Sequence, residues 1–347
     1  MSRILITGGA GFIGSNLADR LAGAGHEVVL LDTLARPGVE RNLKWLLLRH
    51  RSAVRHVQTD VRDAKGMAQA VAEADAVFHL AAQVAVTTSL SDPREDFDVN
   101  LGGTLNLLEA ARKRRVPVIF ASTNKVYGDL ADVDLELVDD AWTPVETAMR
   151  VKGVDEGRPL DFHTPYGCSK GAADQYVLDY ARSFGVPACV MRMSCIYGPR
   201  QMGTEDQGWV AHFLIRALNG EPITLFGDGR QVRDILHVAD AVNAYVAALE
   251  RIEQVSGRAF NLGGGPDNAV SLRRLIAHIE GLTGRRADIR FEAWRAGDQR
   301  YFVADASAAH AVLDLPRPTG WREGVADLAR WIGSTNDLVP APQTVAA

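Results

Sequence analysis

Gly8-Gly9-Ala10-Gly11-Phe12-Ile13-Gly14 decides how the rest of this chain is read. The stretch follows an apolar run with strand character at residues 3–7 and opens a helical pattern over residues 12–24. Its glycines permit a tight turn and let backbone N–H groups approach a pyrophosphate at a helix N-terminus. Asp32 closes the next apolar run, residues 27–32, eighteen positions beyond Gly14. A carboxylate there accepts hydrogen bonds from the adenosine ribose and repels a 2′-phosphate, which favours NAD over NADP. Arg36 is the nearby group suited to a 2′-phosphate instead. The plainer alternative is a simple glycine turn with Asp32 as a solvated strand end. Strand, glycines and carboxylate agree, which weighs against it.

Outward from this stretch, short apolar runs alternate with helical periodicity. Residues 54–60, 76–80, 118–122 and 188–193 read as strands, and 64–72, 98–113 and 166–184 as helices. Such alternation predicts an α/β fold, a doubly wound parallel Rossmann sheet with ligands at the carboxyl ends of its strands. At those ends stand Asp60-Val61 and Leu80-Ala81-Ala82-Gln83, placed to meet the cofactor. His79 reads as a packed core histidine. Residues 129–161 are polar, acidic and weakly patterned, an excursion expected to help cover the site. Beyond Met193 the pattern turns mixed, with helices over 238–251 and 272–283 and a strand over 259–262. The expected organisation is a dinucleotide-binding domain over 1–193, to which 235–260 return. A smaller substrate lobe spans 194–234 and 261–335, and 336–347 form a tail.

Net charge is −5, so bulk electrostatics give no reason to expect nucleic acid or an anionic membrane as partner. Hydrophobic residues at 47% and charged residues at 23% fit a globular chain without a spanning segment. The N-terminus runs directly into a strand pattern, so no signal peptide is expected. Three cysteines, Cys168, Cys189 and Cys195, lack metal-ligand spacing and are too few for a disulfide framework. A reducing cytoplasm and no metal are the expectation.

Tyr166 and Lys170 carry the chemistry. Positions i and i+4 share one helical face. An ammonium one turn from a phenol favours the phenolate, and a tyrosine base needs such help near neutrality. Ser122-Thr123 close the apolar run at 118–122 and offer a hydroxyl to the same site.

The glycine stretch, Ser122-Thr123 with Val126-Tyr127-Gly128, Tyr166-x-x-x-Lys170, Arg233-Asp234 with His237-Val238, and Asp298-Gln299-Arg300 together resemble the extended short-chain dehydrogenase/reductase family. The resemblance runs from Arg3 to about Trp331. It implies NAD on the sheet, held by Gly8, Gly11, Phe12, Ile13, Gly14, Asp32, Asp60, Val61, Leu80, Ala81, Ala82, Gln83, Tyr166 and Lys170. It implies a nucleotide-diphosphate sugar on the smaller lobe. In that family's terms Thr123 orients the sugar hydroxyl and Tyr166 is the base. Lys170 holds the nicotinamide ribose and lowers the tyrosine pKa. Gln83, Asn124, Lys125, His163 and Gln207 are candidate substrate contacts, and Arg233 and Arg300 candidate diphosphate clamps. Sugar dehydratases of the family place a carboxylate pair after the threonine; Asn124 and Lys125 cannot serve as one.

Longer strings sharpen the resemblance: residues 83–89, 122–130, 160–176 and 206–210 look like the branch that epimerises C2 of a CDP-sugar. That chemistry is redox-neutral and implies tightly retained NAD. A 4-epimerase on a UDP- or GDP-sugar, or a non-catalytic NAD-sensing protein, remain the alternatives. The family's dimer interface uses helices corresponding to 98–113 and 166–184, which implies a homodimer or homotetramer.

Overall fold

Seven parallel strands form the central sheet of the computed structural model, which describes residues 1–295 and 297–334. The expected tail at 336–347 lies outside the described residues. The strands are β1 Arg3–Thr7, β2 Glu27–Leu31, β3 Val54–Val57, β4 Ala76–His79, β5 Val118–Thr123, β6 Ala188–Met193 and β7 Arg258–Leu262. Their spatial order is β3-β2-β1-β4-β5-β6-β7. The order reverses between β1 and β4, and a crevice opens there at the strands' carboxyl ends.

Burial on both faces explains the apolar runs. On one face Ile4, Ile6, Leu30, Phe78 and Ile119 pack against helices Phe12–Gly23, Val39–His50 and Val238–Glu250. On the other, Leu5, Val29, Val77, Val118 and Phe120 pack against helices Ala64–Ala72, Gly103–Ala111 and Thr164–Phe184. His79 is buried between the Thr7 hydroxyl (2.6 Å) and the Thr104 hydroxyl (3.0 Å), and burial pushes its imidazole down to about 3.

The boundary at residue 260 needs correction. It cuts β7, which pairs with β6 along its whole length. Helix Ser307–Leu313 also packs, through Ala309 and Leu313, into the first sheet's core. The smaller lobe has its own sheet around strand Val232–His237, flanked by Ala269–Ser271, Tyr301–Phe302 and Cys195–Tyr197. Helices Trp209–Asn219, Leu272–Thr283 and Trp321–Ser334 bury its apolar core.

The helix read at 98–113 is also different. Asp98–Gly102 form a wide π turn before the α-helix Gly103–Ala111. Asn100 sits in this turn, its amide nitrogen sharing two protons among the Gln83 carbonyl (3.1 Å), Asp96 (3.1 Å) and Ser169 (3.0 Å).

The excursion at 129–161 does not cover the site. It folds into a hairpin, Leu135–Val138 with Ala141–Pro144, and a short helix, Thr147–Lys152. None of these residues lines the cleft. They pack on the back of the smaller lobe, where Ala141 joins Val232, Tyr301 and Val303. The Trp142 indole donates to Asp228 (3.0 Å), and Val154 bridges to Ala304.

The glycine turn sets the crevice's geometry. Gly8 sits at φ +66°, and a Cβ on it would lie 2.8 Å from the Ala81 backbone nitrogen. A Cβ on Gly14 would lie 2.4 Å from the Gly8 carbonyl oxygen. Both obstacles are backbone, which cannot swing aside. Gly14→Ala should therefore destabilise the protein by about 1–3 kcal/mol through overpacking, read by urea denaturation against wild type.

Candidate functional site

One continuous cavity of about 830 Å³ runs from the glycine turn, past the end of β5, to the smaller lobe. At its first end helix Phe12–Gly23 begins without any side-chain cap, so its first N–H groups face the opening. The turn fits a dinucleotide pyrophosphate, since Gly8 and Gly14 pack so tightly against the Ala81 and Gly8 backbone that only glycine lets the uncapped helix N-terminus stand at the opening. Gly8, Gly11, Phe12, Ile13, Gly14, Asp32, Asp60, Val61, Leu80, Ala81, Ala82 and Gln83 all stand in the wall. The Asp32 carboxylate accepts from the Ala10 N–H (3.0 Å) and the Leu34 N–H (2.9 Å), which pins it at the edge of β2. Asp60 is gripped by Arg62 and held below the usual carboxylate range, by the Arg62 side-chain hydrogen bond first. The Gln83 side-chain amide is turned back on its own loop, donating to Ala85 O (2.9 Å) and Asp96 (2.8 Å).

Where the two ends meet stand Thr123 and Tyr166. Thr123 terminates β5 and caps the single turn Asn124–Tyr127, accepting from the Lys125 N–H (3.2 Å). Tyr166 is in the first turn of helix Thr164–Phe184, its N–H donating to the Ser89 hydroxyl (3.2 Å). The expected effect of Lys170 on Tyr166 is not what the structure contains. Burial pushes the Tyr166 hydroxyl up to about 12; a hydrogen bond with Thr123 lowers it, and Asp96 adds to the rise. Lys170 lies behind the cavity wall rather than in it. Its ammonium donates to the Ala121 carbonyl (2.6 Å) and stands 4.2 Å over the Phe120 ring. Burial pushes it down to about 7, partly offset by Asp174 and Asp96. Without ligands, burial outweighs the charge interaction that the i, i+4 spacing suggests.

Behind this pair lies a fully satisfied polar network. Asp174, 0% exposed, takes two hydrogen bonds from Arg192 (3.0 Å each) and one from Ser122 (2.7 Å). Arg192 also donates to the Tyr127 hydroxyl (3.1 Å), which donates to Asn261 (2.8 Å). Sequence reading passed over Asp174 and Arg192; a charged residue inside an otherwise apolar strand such as β6 was the available signal.

At the second end Asn124, Lys125, Gln207 and Arg233 face the cavity. Asn124 donates to Gln299 (3.4 Å), and Lys125 to the Gly297 carbonyl (3.1 Å). Burial takes the Lys125 ammonium down to about 8, with Asp298 opposing and Arg233 assisting. Gln207 closes a tight turn with Thr204 through paired backbone bonds. Arg233 is oriented by Asp298 (2.7 Å) and the Gln299 carbonyl (2.5 Å).

Two expected contacts are absent. His163 lies off the cavity, its imidazole between Asp161 (3.1 Å) and Asp129 (3.5 Å). Arg300 is exposed on the far side, over the rings of Trp142 and Trp294. The guanidinium that does face the cavity is Arg295, stacked 3.7 Å over Phe226 and paired with Glu205 (3.2 Å) and Asp206 (3.4 Å). Arg295 and Arg300 flank Gly297-Asp298, and only the loop's path tells them apart.

Residues 4–263 match the model of the NAD dependent epimerase/dehydratase family. The chain is 42% identical to CDP-paratose 2-epimerase of Salmonella typhi, across 96% of this chain and 99% of that protein. Its fold is similar to UDP-glucose 4-epimerase of Thermotoga maritima with UDP-glucose, at TM-score 0.83 and 30% identity over 96% and 99% of the two chains. It is also similar to UDP-glucuronic acid 4-epimerase of Bacillus cereus in complex with UDP-glucuronic acid and NAD, at TM-score 0.82 and 28% identity over 96% and 99%.

The Lys170 shift has a signed consequence. The folded chain releases this proton near pH 7, the unfolded chain near the ordinary 10.5. Between those values the unfolded state holds more protons, so stability rises with pH. Urea denaturation of ligand-free protein at roughly pH 6.5, 8 and 9.5, spanning the window, should show this rise, and Lys170→Met should make it shallower, the remainder belonging to buried Lys125. An equal rise in the variant would assign the effect elsewhere.

Proposed function

Because this chain belongs to the NAD dependent epimerase/dehydratase family, we propose that it inverts C2 of a CDP-sugar through a transient keto sugar. It is an NAD-dependent nucleotide-sugar epimerase. The site observation that favours epimerisation over dehydration is the Thr123–Tyr166 hydroxyl pair midway along the cavity, followed by Asn124 and Lys125 instead of carboxylates; the choice of C2 and of a CDP-sugar rests on the 42% identity to CDP-paratose 2-epimerase. Without an acid and base at 124 and 125, elimination of water lacks its catalysts.

NAD, when bound against the glycine cradle and Asp32, supplies the acceptor and donor of two electrons. The chain's residues do the rest. Tyr166 takes the proton of the sugar hydroxyl and returns it after the keto sugar has presented its other face. Thr123 lies in that proton's path and, as a donor to the tyrosine oxygen, stabilises its ionised form. Lys170, drawn back onto the Ala121 carbonyl when the cavity is empty, would supply positive charge one helical turn away and a donor to the nicotinamide ribose once NAD is bound. The remaining wall residues from Gly8 to Gln83 hold the rest of the dinucleotide. Arg233 and Arg295 hold the diphosphate, and Asn124, Lys125 and Gln207 line the sugar's end. Fixing the diphosphate while the sugar turns keeps one carbon within reach for both half-reactions. Escape of reduced cofactor would abort the cycle, so NAD stays bound throughout.

The sheet with its returning segments is the NAD domain, and the lobe around Val232–His237 the substrate domain. No helix among the described residues is long and apolar enough to cross a membrane; the free thiols of Cys168, Cys189 and Cys195 support a reducing, cytoplasmic setting. Leu105, Tyr176 and Phe184, exposed on helices Gly103–Ala111 and Thr164–Phe184, support a homodimer or homotetramer.

Purified protein should release stoichiometric NAD on denaturation and epimerise a CDP-sugar without added cofactor, with product configuration read by NMR. Inversion only at C4, on UDP-sugars, would replace the C2 reading. Tyr166→Phe should lower kcat by about 10²–10⁴-fold, the usual worth of a general base, with NAD retained. Arg295→Ala should raise KM by about tenfold or more, the loss of a charge-assisted hydrogen bond. Arg300→Ala should leave KM within about twofold, as an exposed cation does.

A further inference from the structure

Lys125 stands between the reacting hydroxyls and an arginine of the smaller lobe. Its backbone N–H donates to the Thr123 hydroxyl (3.2 Å). A Cβ on Gly167, the residue after Tyr166, would lie 3.4 Å from the Lys125 carbonyl oxygen. The side chain crosses to the smaller lobe, where its ammonium donates to the Gly297 carbonyl (3.1 Å) and lies 4.0 Å from Asp298. Gly297 in turn abuts the first turn of the Tyr166 helix, since a Cβ on it would lie 2.7 Å from the Thr164 side chain. Arg233 takes the same Asp298 oxygen at 2.7 Å. Arg295 is engaged elsewhere, with Glu205 and Asp206. Contacts therefore run from Tyr166 to Lys125 and from Lys125 to Arg233.

Two cations that share one carboxylate oxygen are short of negative charge. Among the described residues the Gly297 carbonyl takes one ammonium proton, and Asp298 lies beyond hydrogen-bond reach. The other protons are free for a ligand. The side chain is 21% exposed and stands in the cavity wall, so an anion in the cavity can reach it. Burial, opposed by Asp298, takes the ammonium down to about 8, which leaves most of it charged at neutral pH.

We infer that Lys125 joins the diphosphate clamp and grips the phosphate that carries the sugar. This rests on the reading of Arg233 as a diphosphate ligand. The two phosphates stand in series, and the one bonded to C1 of the sugar is the nearer to the reacting hydroxyls. Lys125 is the cation nearer those hydroxyls, so it takes that phosphate. An anchor on the turn between Thr123 and Tyr166 holds C1 close to both. The carbon bonded to C1 is C2, whereas C4 lies across the ring. Lys125 thereby determines position, presenting C2 to Tyr166 and holding C1 while the keto sugar turns.

Titration calorimetry on NAD-loaded protein with CDP and CMP, repeated with UDP and UMP, locates the contact without turnover and whichever base the site prefers. Lys125→Met, similar in length but uncharged, should weaken diphosphate binding about tenfold or more, the loss of a charge-assisted hydrogen bond. Monophosphate binding should change by less than about twofold. Lys125→Arg should recover most of the diphosphate affinity, and Lys125→Gln replaces the Met variant if that one fails to retain stoichiometric NAD. Equal losses for diphosphate and monophosphate, or no loss for either, would overturn the inference. In turnover of a CDP-sugar, Lys125→Met should lower kcat for C2 inversion by about tenfold or more, as misplacing the reacting carbon does, besides raising KM. A raised KM with unchanged kcat would overturn the control of position. Inversion at C4 alone by wild type would refute the proposed reaction, while the calorimetry still decides the phosphate contact.

Discussion

The buried pair of Asp174 and Arg192 holds the reacting geometry in place. Asp174 lies two turns beyond Tyr166 on the same helix, and Arg192 on β6 beside β5. The same carboxylate also takes the Ser122 hydroxyl, one residue before Thr123. One carboxylate thereby joins the helix bearing Tyr166 to the strand bearing Thr123. Two charges in an apolar interior are costly unless they are paired and hydrogen-bonded, and here both carboxylate oxygens and all three guanidinium nitrogens have partners. Removing one partner of such a pair costs about 3–5 kcal/mol, because the other is left buried and unpaired. The price of this arrangement is accepted where two hydroxyls must meet to within a hydrogen bond.

The electrostatics of the site follow from its burial. Lys170 and Tyr166 are both driven toward their neutral forms, the lysine to about 7 and the tyrosine to about 12. Asp96, buried with Asn100 and Ser169 as hydrogen-bond donors, pulls against tyrosine ionisation while favouring a charged lysine. The ligand-free pocket is thus a poor place for a phenolate, and a base there depends on what fills the cavity.

The sequence was legible where local rules govern. The glycine turn, Asp32, the alternation of β1 to β6 with helices and the Tyr166–Lys170 spacing all follow from turn chemistry and periodicity. Helix Ala64–Ala72, strand Ala188–Met193 and helix Leu272–Thr283 emerge with their ends in place, because Asp63 and Ser271 cap two of them. Illegible features depend on where the chain travels. Nothing local separates Arg295 from Arg300. The hairpin at 135–144 looked like a cover because it is long and polar, yet its apolar minority, Ala141 and Leu135, points to the smaller lobe. The pKa of Tyr166 failed for the same reason: spacing gives a neighbour's charge but not how deeply both groups are buried.

That hairpin and the segment after it have a thermodynamic consequence for binding. Val154 bonds through its N–H to Val303 and accepts at its carbonyl from Asp305 and from Asn261, which sits on the central sheet. Trp142 and Arg230 add bonds on the other side. The two lobes are therefore joined before any sugar nucleotide arrives. A ligand entering a cleft already assembled does not spend its contacts on bringing two bodies together, so more of its interaction energy is expressed as affinity. A polar segment that touches no ligand thus acts on binding through preorganisation, by settling the entropy of assembly at the time the chain folds.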